Sequence, residues 1–178
     1  AAAVDYDPDL YTYLRITDIS EDGYFISSGK KSVNDLFAKD FLLEEGDIVF
    51  ARTGNSTGKT YLYDKNDGEL VFAGFLIRFK TNIEKIIPEY LKFFTETPQY
   101  WNWVSIYSMR TGQPGINGIE YGKLPLPKPS PKEQEVISKR LLAINKKIQV
   151  ENESLKKHQK IKKGLMQDLL TGKVEVIV

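Results

Sequence analysis

A stretch of about forty residues near the carboxyl end constrains the fold more than any other part of this sequence. Ser130, Pro131 and Glu133 form a helix-start pattern: a capping serine, a proline in the first turn and a glutamate three residues after the serine. Thr171-Gly172 supplies a stop signal. The polar segment Gln149 to Ser154 contains neither glycine nor proline, which favours one continuous helix over a helical hairpin.

Apolar residues recur along this helix at spacings of three and four, with Lys, Glu and Gln on the remaining faces. About forty residues at 1.5 Å each make a rod of roughly 60 Å, which is longer than a small domain. The chain's own sheet therefore cannot cover the whole apolar stripe, and we expect it to be a seam for a partner helix and for self-association. The seam consists of Ile137, Leu141, Ile144, Ile148, Leu155, Leu165 and Leu169.

The part of the chain before this helix has the pattern of an α+β domain. Short β-rich runs alternate with turns, which predicts a mainly antiparallel sheet. The predicted strands are Tyr11–Ile16, Gly23–Ile26, Asp47–Ala51, Thr60–Tyr63 and Leu70–Phe79. Pro88 and Pro98 each begin a predicted helix, because proline is favoured in the first helical turn.

A run of prolines marks a domain boundary. The prolines between Leu124 and Pro131 can continue neither a helix nor the interior of a sheet. We therefore expect a folded domain at residues 1–129, followed by a helix and a carboxyl-terminal tail at residues 130–178.

Composition excludes several classes of function. The chain has no cysteine and a single histidine, His158, which argues against thiolate or histidine metal sites and against a Ser-His-Asp triad, so we expect no metal, no cofactor and no catalytic residue. No apolar run is long enough to span a membrane and the opening residues lack the pattern of a signal peptide, which favours a cytoplasmic protein without a membrane partner. Because the formal net charge is only +1, any nucleic-acid surface must be local.

The segment from Thr53 to Thr60 nearly matches a phosphate-binding P-loop. Thr53 stands where the first glycine belongs, and the following residues, Tyr61 to Gly68, indicate a strand and turn instead of a helix. The interpretations are a nucleotide-binding loop using Gly58, Lys59 and Thr60, a plain hairpin loop, or a polar loop touching a phosphate backbone, which is favoured. The candidate contacts are Arg52, Thr53, Asn55, Ser56 and Lys59.

A second polar loop, rich in glycine, runs from Tyr107 to Asn117. Arginine, glutamine and asparagine offer forked donors and acceptors that match base edges, and glycines allow the backbone to approach closely. Polar surface loops are common, but two Arg-Thr-Gly loops in one domain could straddle a groove. The candidate DNA-binding residues here are Tyr107, Arg110, Thr111, Gln113 and Asn117.

Four segments, taken in order, resemble the specificity subunits of type I restriction-modification systems. They are Gly46–Gly54, Thr111–Gly118, Leu124–Pro127 followed by Pro131–Gln134, and Lys163–Val174. The resemblance implies a target-recognition domain that reads one half of a split site in double-stranded DNA. It also implies that the long helix is a coiled-coil spacer that pairs antiparallel with another helix.

The same resemblance implies a non-catalytic protein. Methylation and any cleavage would be supplied by partner methyltransferase and restriction subunits. Family members usually carry two recognition domains and two helices, so this chain resembles half a subunit, either a natural half that forms a homodimer or an excised half. The alternatives are a P-loop-like nucleotide-dependent phosphotransferase and a coiled-coil adaptor that binds another protein.

Overall fold

Seven short strands in two sheets form the framework in the computed structural model, which describes residues 2–175. The strands are β1 (Ala3–Val4), β2 (Thr12–Leu14), β3 (Lys31–Val33), β4 (Asp47–Ala51), β5 (Thr60–Leu62), β6 (Leu70–Phe72) and β7 (Leu76–Lys80). One sheet has the strand order β1-β3-β2-β6, and the other has the order β5-β4-β7. The pairings are antiparallel except for that of β2 with β6.

The structure corrects the prediction of a single sheet. The predicted strand Leu70–Phe79 is two strands, because the chain turns at Gly74 and sends β6 to one sheet and β7 to the other. The predicted strand Gly23–Ile26 is wrong, since that segment forms only an isolated bridge, between Ile19 and Phe25. The short strands β1 and β3 were not predicted, because neither carries a long enough alternating pattern.

The central strand of the second sheet, β4, is buried along its whole length. Alternate side chains of a strand point to opposite faces, so Val49 and Ala51 pack into one apolar cluster while Ile48 and Phe50 pack into another. The second cluster contains residues of three helices. The loop that follows Ala51 therefore leaves the sheet from a strand packed on both faces.

Four α-helices complete the described part of the chain, residues 2–175. They are α1 (Pro88–Phe94), α2 (Pro98–Tyr107), α3 (Gly118–Tyr121) and α4 (Pro131–Leu170). The predicted helices at Pro88 and Pro98 are confirmed, and each has its proline in the first turn. The predicted α+β class, with mainly antiparallel sheets and one long helix near the carboxyl end, is also confirmed.

A buried glutamine holds the first turn of α4. Gln134 is fully buried, and its Oε1 accepts a hydrogen bond from the amide of Ile87 at 2.9 Å. Its Nε2 donates to the carbonyl oxygens of Lys85 and Pro129, both at 2.9 Å. One side chain thus satisfies three backbone groups that no regular element pairs, which gives a structural role to the last residue of the segment Pro131–Gln134.

The long helix α4 is continuous over 40 residues, so the hairpin alternative is wrong. Ser130 Oγ accepts from the amide of Glu133, and the chain after Leu170 reaches a left-handed glycine, Gly172, with φ of 71°. Both end signals read from the sequence are therefore confirmed. Six predicted seam residues have exposures between 36% and 56%, namely Leu141, Ile144, Ile148, Leu155, Leu165 and Leu169.

The chain divides into two compact units, Ala1–Glu135 and Val136–Val178. Ala1 and residues 176–178, which belong to the predicted domains, lie outside the described residues. No helix within residues 2–175 has the length and apolar character needed to cross a membrane.

Candidate nucleic-acid interface

The two polar loops singled out in the sequence lie against each other. We call residues 52–59, between β4 and β5, the first loop, and residues 108–117, between α2 and α3, the second loop. Two backbone hydrogen bonds of 2.9 Å join them, from the amide of Gly54 to the carbonyl of Pro114 and from the amide of Ile116 to the carbonyl of Arg52. Side chains about sixty positions apart in sequence therefore share one surface.

The first loop also carries internal hydrogen bonds. Thr57 is buried, and its Oγ1 donates to the carbonyl of Gly54 at 2.7 Å. Arg52 and Asn55 are exposed, whereas Thr53 and Ser56 are half-buried. The ordered backbone leaves the Arg52 and Asn55 side chains free to reach a ligand.

The first loop is not a P-loop. It leads into β5, which pairs antiparallel with β4, and no helix follows Lys59 and Thr60. A P-loop holds phosphate on the amides at a helix amino terminus, so the nucleotide-binding interpretation lacks the element it requires. The strand and turn predicted from Tyr61 to Gly68 are confirmed, as β5 and the turn at Lys65–Asp67.

A third segment, which the sequence did not indicate, is hydrogen-bonded to the first loop. The amide of Arg52 donates to the carbonyl of Phe75 at 3.0 Å, in the turn between β6 and β7. The Phe75 side chain is 61% exposed. Phe75 was not predicted as a site residue, because the β-rich pattern of residues 70–79 predicts one continuous strand; the signal that could have identified the turn is Gly74.

The three basic residues of the loops differ in their partners. Among residues 2–175, no carboxylate forms an ion pair with Arg52, which is exposed. Lys59 Nζ lies 2.6 Å from Glu21 Oε1, and the Lys59 side chain is only 17% exposed. Arg110 Nη2 lies 2.5 Å from Glu120 Oε1. A DNA phosphate would have to displace a carboxylate from Lys59 and Arg110, but not from Arg52.

Asn117 caps α3. Its Oδ1 accepts from the amide of Glu120 at 3.0 Å, and Glu120 Oε2 accepts from the amide of Asn117 at 2.9 Å. The Asn117 amide, followed by the charge of Arg110, lowers the pKa of Glu120. The side-chain oxygen of Asn117 is thus occupied. The Asn-x-x-Glu spacing of a capping box was the sequence signal for this role.

The other predicted residues, two in the second loop and Tyr107 at the end of α2, differ in exposure. Thr111 and Gln113 are exposed. The Gln113 amide lies over the first loop, since a Cβ added at Gly54 would be 2.9 Å from Gln113 Nε2. The Tyr107 ring is 40% exposed and stacks on Trp103 with centroids 4.5 Å apart.

The exposed side chains of this surface carry hydrogen-bonding groups. Guanidinium groups can donate hydrogen bonds to base edges, and side-chain amides can both donate and accept them. Within residues 2–175, no group of three or more His, Asp or Glu side chains is arranged to hold a metal ion. The surface therefore offers directional hydrogen-bonding groups without an arranged set of metal ligands.

Comparison with known proteins agrees with this description. A family model described as the type I restriction modification DNA specificity domain matches residues 4–162. The chain is also 28% identical, over 138 residues, to the MjaVIII specificity subunit of a type I restriction enzyme from Methanocaldococcus jannaschii. That match covers 76% of this chain and 32% of the relative, so the chain spans about a third of the relative's length.

Two solved structures share the fold. A chain from a type I R-M system, whose structure concerns complex assembly and conformational transition, has a TM-score of 0.67 at 20% identity, covering 93% of this chain and 43% of that one. The HsdS subunit from Thermoanaerobacter tengcongensis has a TM-score of 0.65 at 20% identity, covering 94% and 45%. With the family match over residues 4–162, the resemblance read from the sequence is confirmed: this chain belongs to the type I restriction modification DNA specificity domain family.

Proposed function

We propose that this chain reads one half of a bipartite DNA site as a non-catalytic specificity module of a type I restriction-modification complex. The observation that carries the proposal is the joining of both loops and the Phe75 turn at one surface, with Arg52 exposed and without a carboxylate partner among the described residues. We assign recognition to residues 1–129 and the spacer role to residues 130–178. The curated relative is itself a specificity subunit.

The geometry supports different roles for different residues among the predicted DNA contacts. Arg52, Asn55, Thr111 and Gln113 are exposed and suit contacts with base edges. Lys59 and Arg110 suit phosphate contacts in which each exchanges its carboxylate partner for DNA. The remaining predicted residues would support the shape of the DNA face; they are Thr53, Ser56, Tyr107 and Asn117.

Phe75 adds an apolar group to the proposed DNA face. Its exposed ring belongs to the residue whose carbonyl oxygen accepts from the Arg52 amide, and it suits contact with a thymine methyl group or a base face. A polar surface with one aromatic side chain is suited to reading bases as well as binding phosphates.

The exposed seam of α4 supports a role in pairing. We propose that it packs antiparallel against another helix, either in a homodimer or in a longer subunit. Methyltransferase subunits, and a restriction subunit where the system has one, would assemble on the paired helices in the cytoplasm. A homodimer would read inverted-repeat half-sites. The 40 residues of α4 make a rod of about 60 Å, which limits the separation of the half-sites to about 17 base pairs.

Co-expression of the chain with a type I methyltransferase subunit, followed by mapping of methylated positions, tests this function. We expect one bipartite sequence to be methylated. Arg52→Ala should relax the preference at one position, since a bidentate contact discriminates by about 1–3 kcal/mol. Lys65→Ala is the matched control, because Lys65 is an exposed cation beyond the opposite end of β5. Methylation without sequence preference, or an Arg52→Ala map identical to that of the Lys65 control, would count against this assignment.

A further inference from the structure

Two buried tyrosine hydroxyl groups hold the base of the first loop. Tyr121 Oη donates to the carbonyl of Ala51 at 2.7 Å and accepts from the amide of Gly58 at 3.1 Å. Tyr100 Oη donates to the carbonyl of Gly58 at 2.6 Å. Ala51 and Gly58 lie at the two ends of the loop, so the phenols connect both ends to the helices behind it.

The phenols are built into the helix-lined apolar cluster. Tyr100 on α2 is 0% exposed and Tyr121 on α3 is 4% exposed. Burial raises the pKa of both hydroxyl groups, so they remain protonated donors across the working pH range. Their rings pack with Trp103 and Phe50 in one cluster. The two donors therefore have little freedom to leave the loop.

Gly58 shows how closely α2 approaches the loop. Its φ is +96°, a conformation that favours glycine. A Cβ at this position would lie 2.7 Å from Val104 Cγ1 and 2.9 Å from Trp101 Cζ3, both on α2. The backbone of the loop is thus packed directly against helix side chains.

The hairpin itself is defined without these phenols. The β4–β5 ladder runs from Ile48 paired with Leu62 to Phe50 paired with Thr60. Beyond it, the amide of Ala51 donates to the carbonyl of Lys59 at 2.8 Å. The Tyr121 and Tyr100 bonds act beyond the last ladder pair, where they constrain the loop and not the strands.

We propose that Tyr121 and Tyr100 are positioning residues that preorganise the first loop for sequence-specific DNA binding, an inference that rests on the proposed function. Ordering a loop on binding costs free energy, and a loop that is ordered beforehand avoids that cost. If the loop were ordered in only a fraction of molecules, the apparent affinity would fall to that fraction of its full value. The phenols do not touch DNA in this proposal; they act through Arg52 and Asn55.

The test removes single hydroxyl groups from the full chain. Tyr121→Phe loses two hydrogen bonds and Tyr100→Phe loses one, with both rings kept in place. Tyr63→Phe is the matched control, because Tyr63 Oη donates to the carbonyl of Gly68 at 2.9 Å in a turn outside the loop. The probe is a set of 30-base-pair duplexes enriched from a random-sequence library by the wild-type chain, and circular dichroism verifies folding.

We expect amide exchange to accelerate within residues 52–59 in both variants, with the β4 amides unchanged. Binding to the enriched duplexes should weaken by about tenfold in Tyr121→Phe and by less in Tyr100→Phe. The salt dependence of binding should stay unchanged, because no phosphate contact is removed. A residue that only stabilised the fold would accelerate exchange in β4 as well.

The outcomes separate the two claims. Duplex affinity equal to wild type in both variants, with loop exchange accelerated, would overturn the inference while leaving the proposed function intact. Failure of the wild-type chain to enrich any duplex would overturn the proposed function and the inference together. If Tyr121→Phe does not fold, Tyr100→Phe alone decides, since it removes a single bond.

Discussion

Replacement of Glu21 by glutamine should make DNA binding stronger and more sensitive to salt. Glu21 Oε1 lies 2.6 Å from Lys59 Nζ, and the Glu21 side chain is 87% exposed. In the wild type, a DNA phosphate that contacts Lys59 loses one condensed cation and displaces the Glu21 carboxylate from Lys59. The displaced carboxylate then attracts a cation from solution, so no net cation is released. In Glu21→Gln, the contact gives a net release of about one counterion.

The size of this change in salt dependence follows from the single ion pair at Lys59. Loss of one counterion exchange steepens the slope of log affinity against log salt by about 0.9. Over a fourfold rise in salt, from about 50 to 200 mM, the affinity of Glu21→Gln should fall by a further factor of about three relative to wild type. The fold should be little affected, because an ion pair at the protein surface contributes less than about 1 kcal/mol and the Glu21 carboxylate is largely exposed.

Fluorescence anisotropy with a labelled random-sequence duplex, repeated at several salt concentrations, measures both quantities. Glu84→Gln is the matched control, since Glu84 is exposed, has no ion pair among the described residues and changes the net charge equally. The reasoning requires a steeper slope only for Glu21→Gln. Equal slopes for the two variants would show that Lys59 does not contact phosphate.

The remaining predictions concern the folded framework and the seam. Gln134→Leu leaves three backbone groups without their partner and should lower the free energy of unfolding by about 2–4 kcal/mol in urea titrations; a loss under about 1 kcal/mol would contradict the role assigned to it. The pKa of Glu120 is lowered in the fold, so its contribution to the α3 cap is present above the ordinary glutamate pKa and is lost as pH falls through the lowered value. Carboxyl NMR should show this titration, and Arg110→Ala should raise the pKa of Glu120, because it removes the positive charge beside the carboxylate. Ile148→Asp should abolish self-association in sedimentation experiments, while Val150→Asp, of similar exposure but about 200° around the helix, should not; equal behaviour of the two variants would remove Ile148 from the interface.

The long helix shows what the sequence alone could determine. Its start signal at Ser130, its stop at Gly172 and the absence of breakers between Gln149 and Ser154 are all local. Helical hydrogen bonds join residues four apart, so local signals are enough to predict a continuous helix. The exposed apolar seam of this helix followed from the same periodicity. The structure of a single chain does not identify the helix that would pack against the seam.

The sheets were harder to predict. A strand's partner can lie anywhere in the chain, so the run Leu70–Phe79 could be recognised as β-rich without showing that Gly74 divides it between two sheets. The exposed Phe75 was missed for the same reason.

Some features of the candidate site could likewise be predicted from local sequence, and others could not. Residue types and glycine spacing nominated both loops, because polar forked side chains in flexible segments are visible in one dimension. Only the tertiary structure decided that Glu21 forms an ion pair with Lys59 and that Arg52 has no carboxylate partner among the described residues. It also decided that the hydroxyl groups of Tyr100 and Tyr121 hydrogen-bond to the first loop and the strand end before it. These contacts join residues 38 to 70 positions apart, and no local pattern encodes which distant groups the packing of sheets and helices brings together.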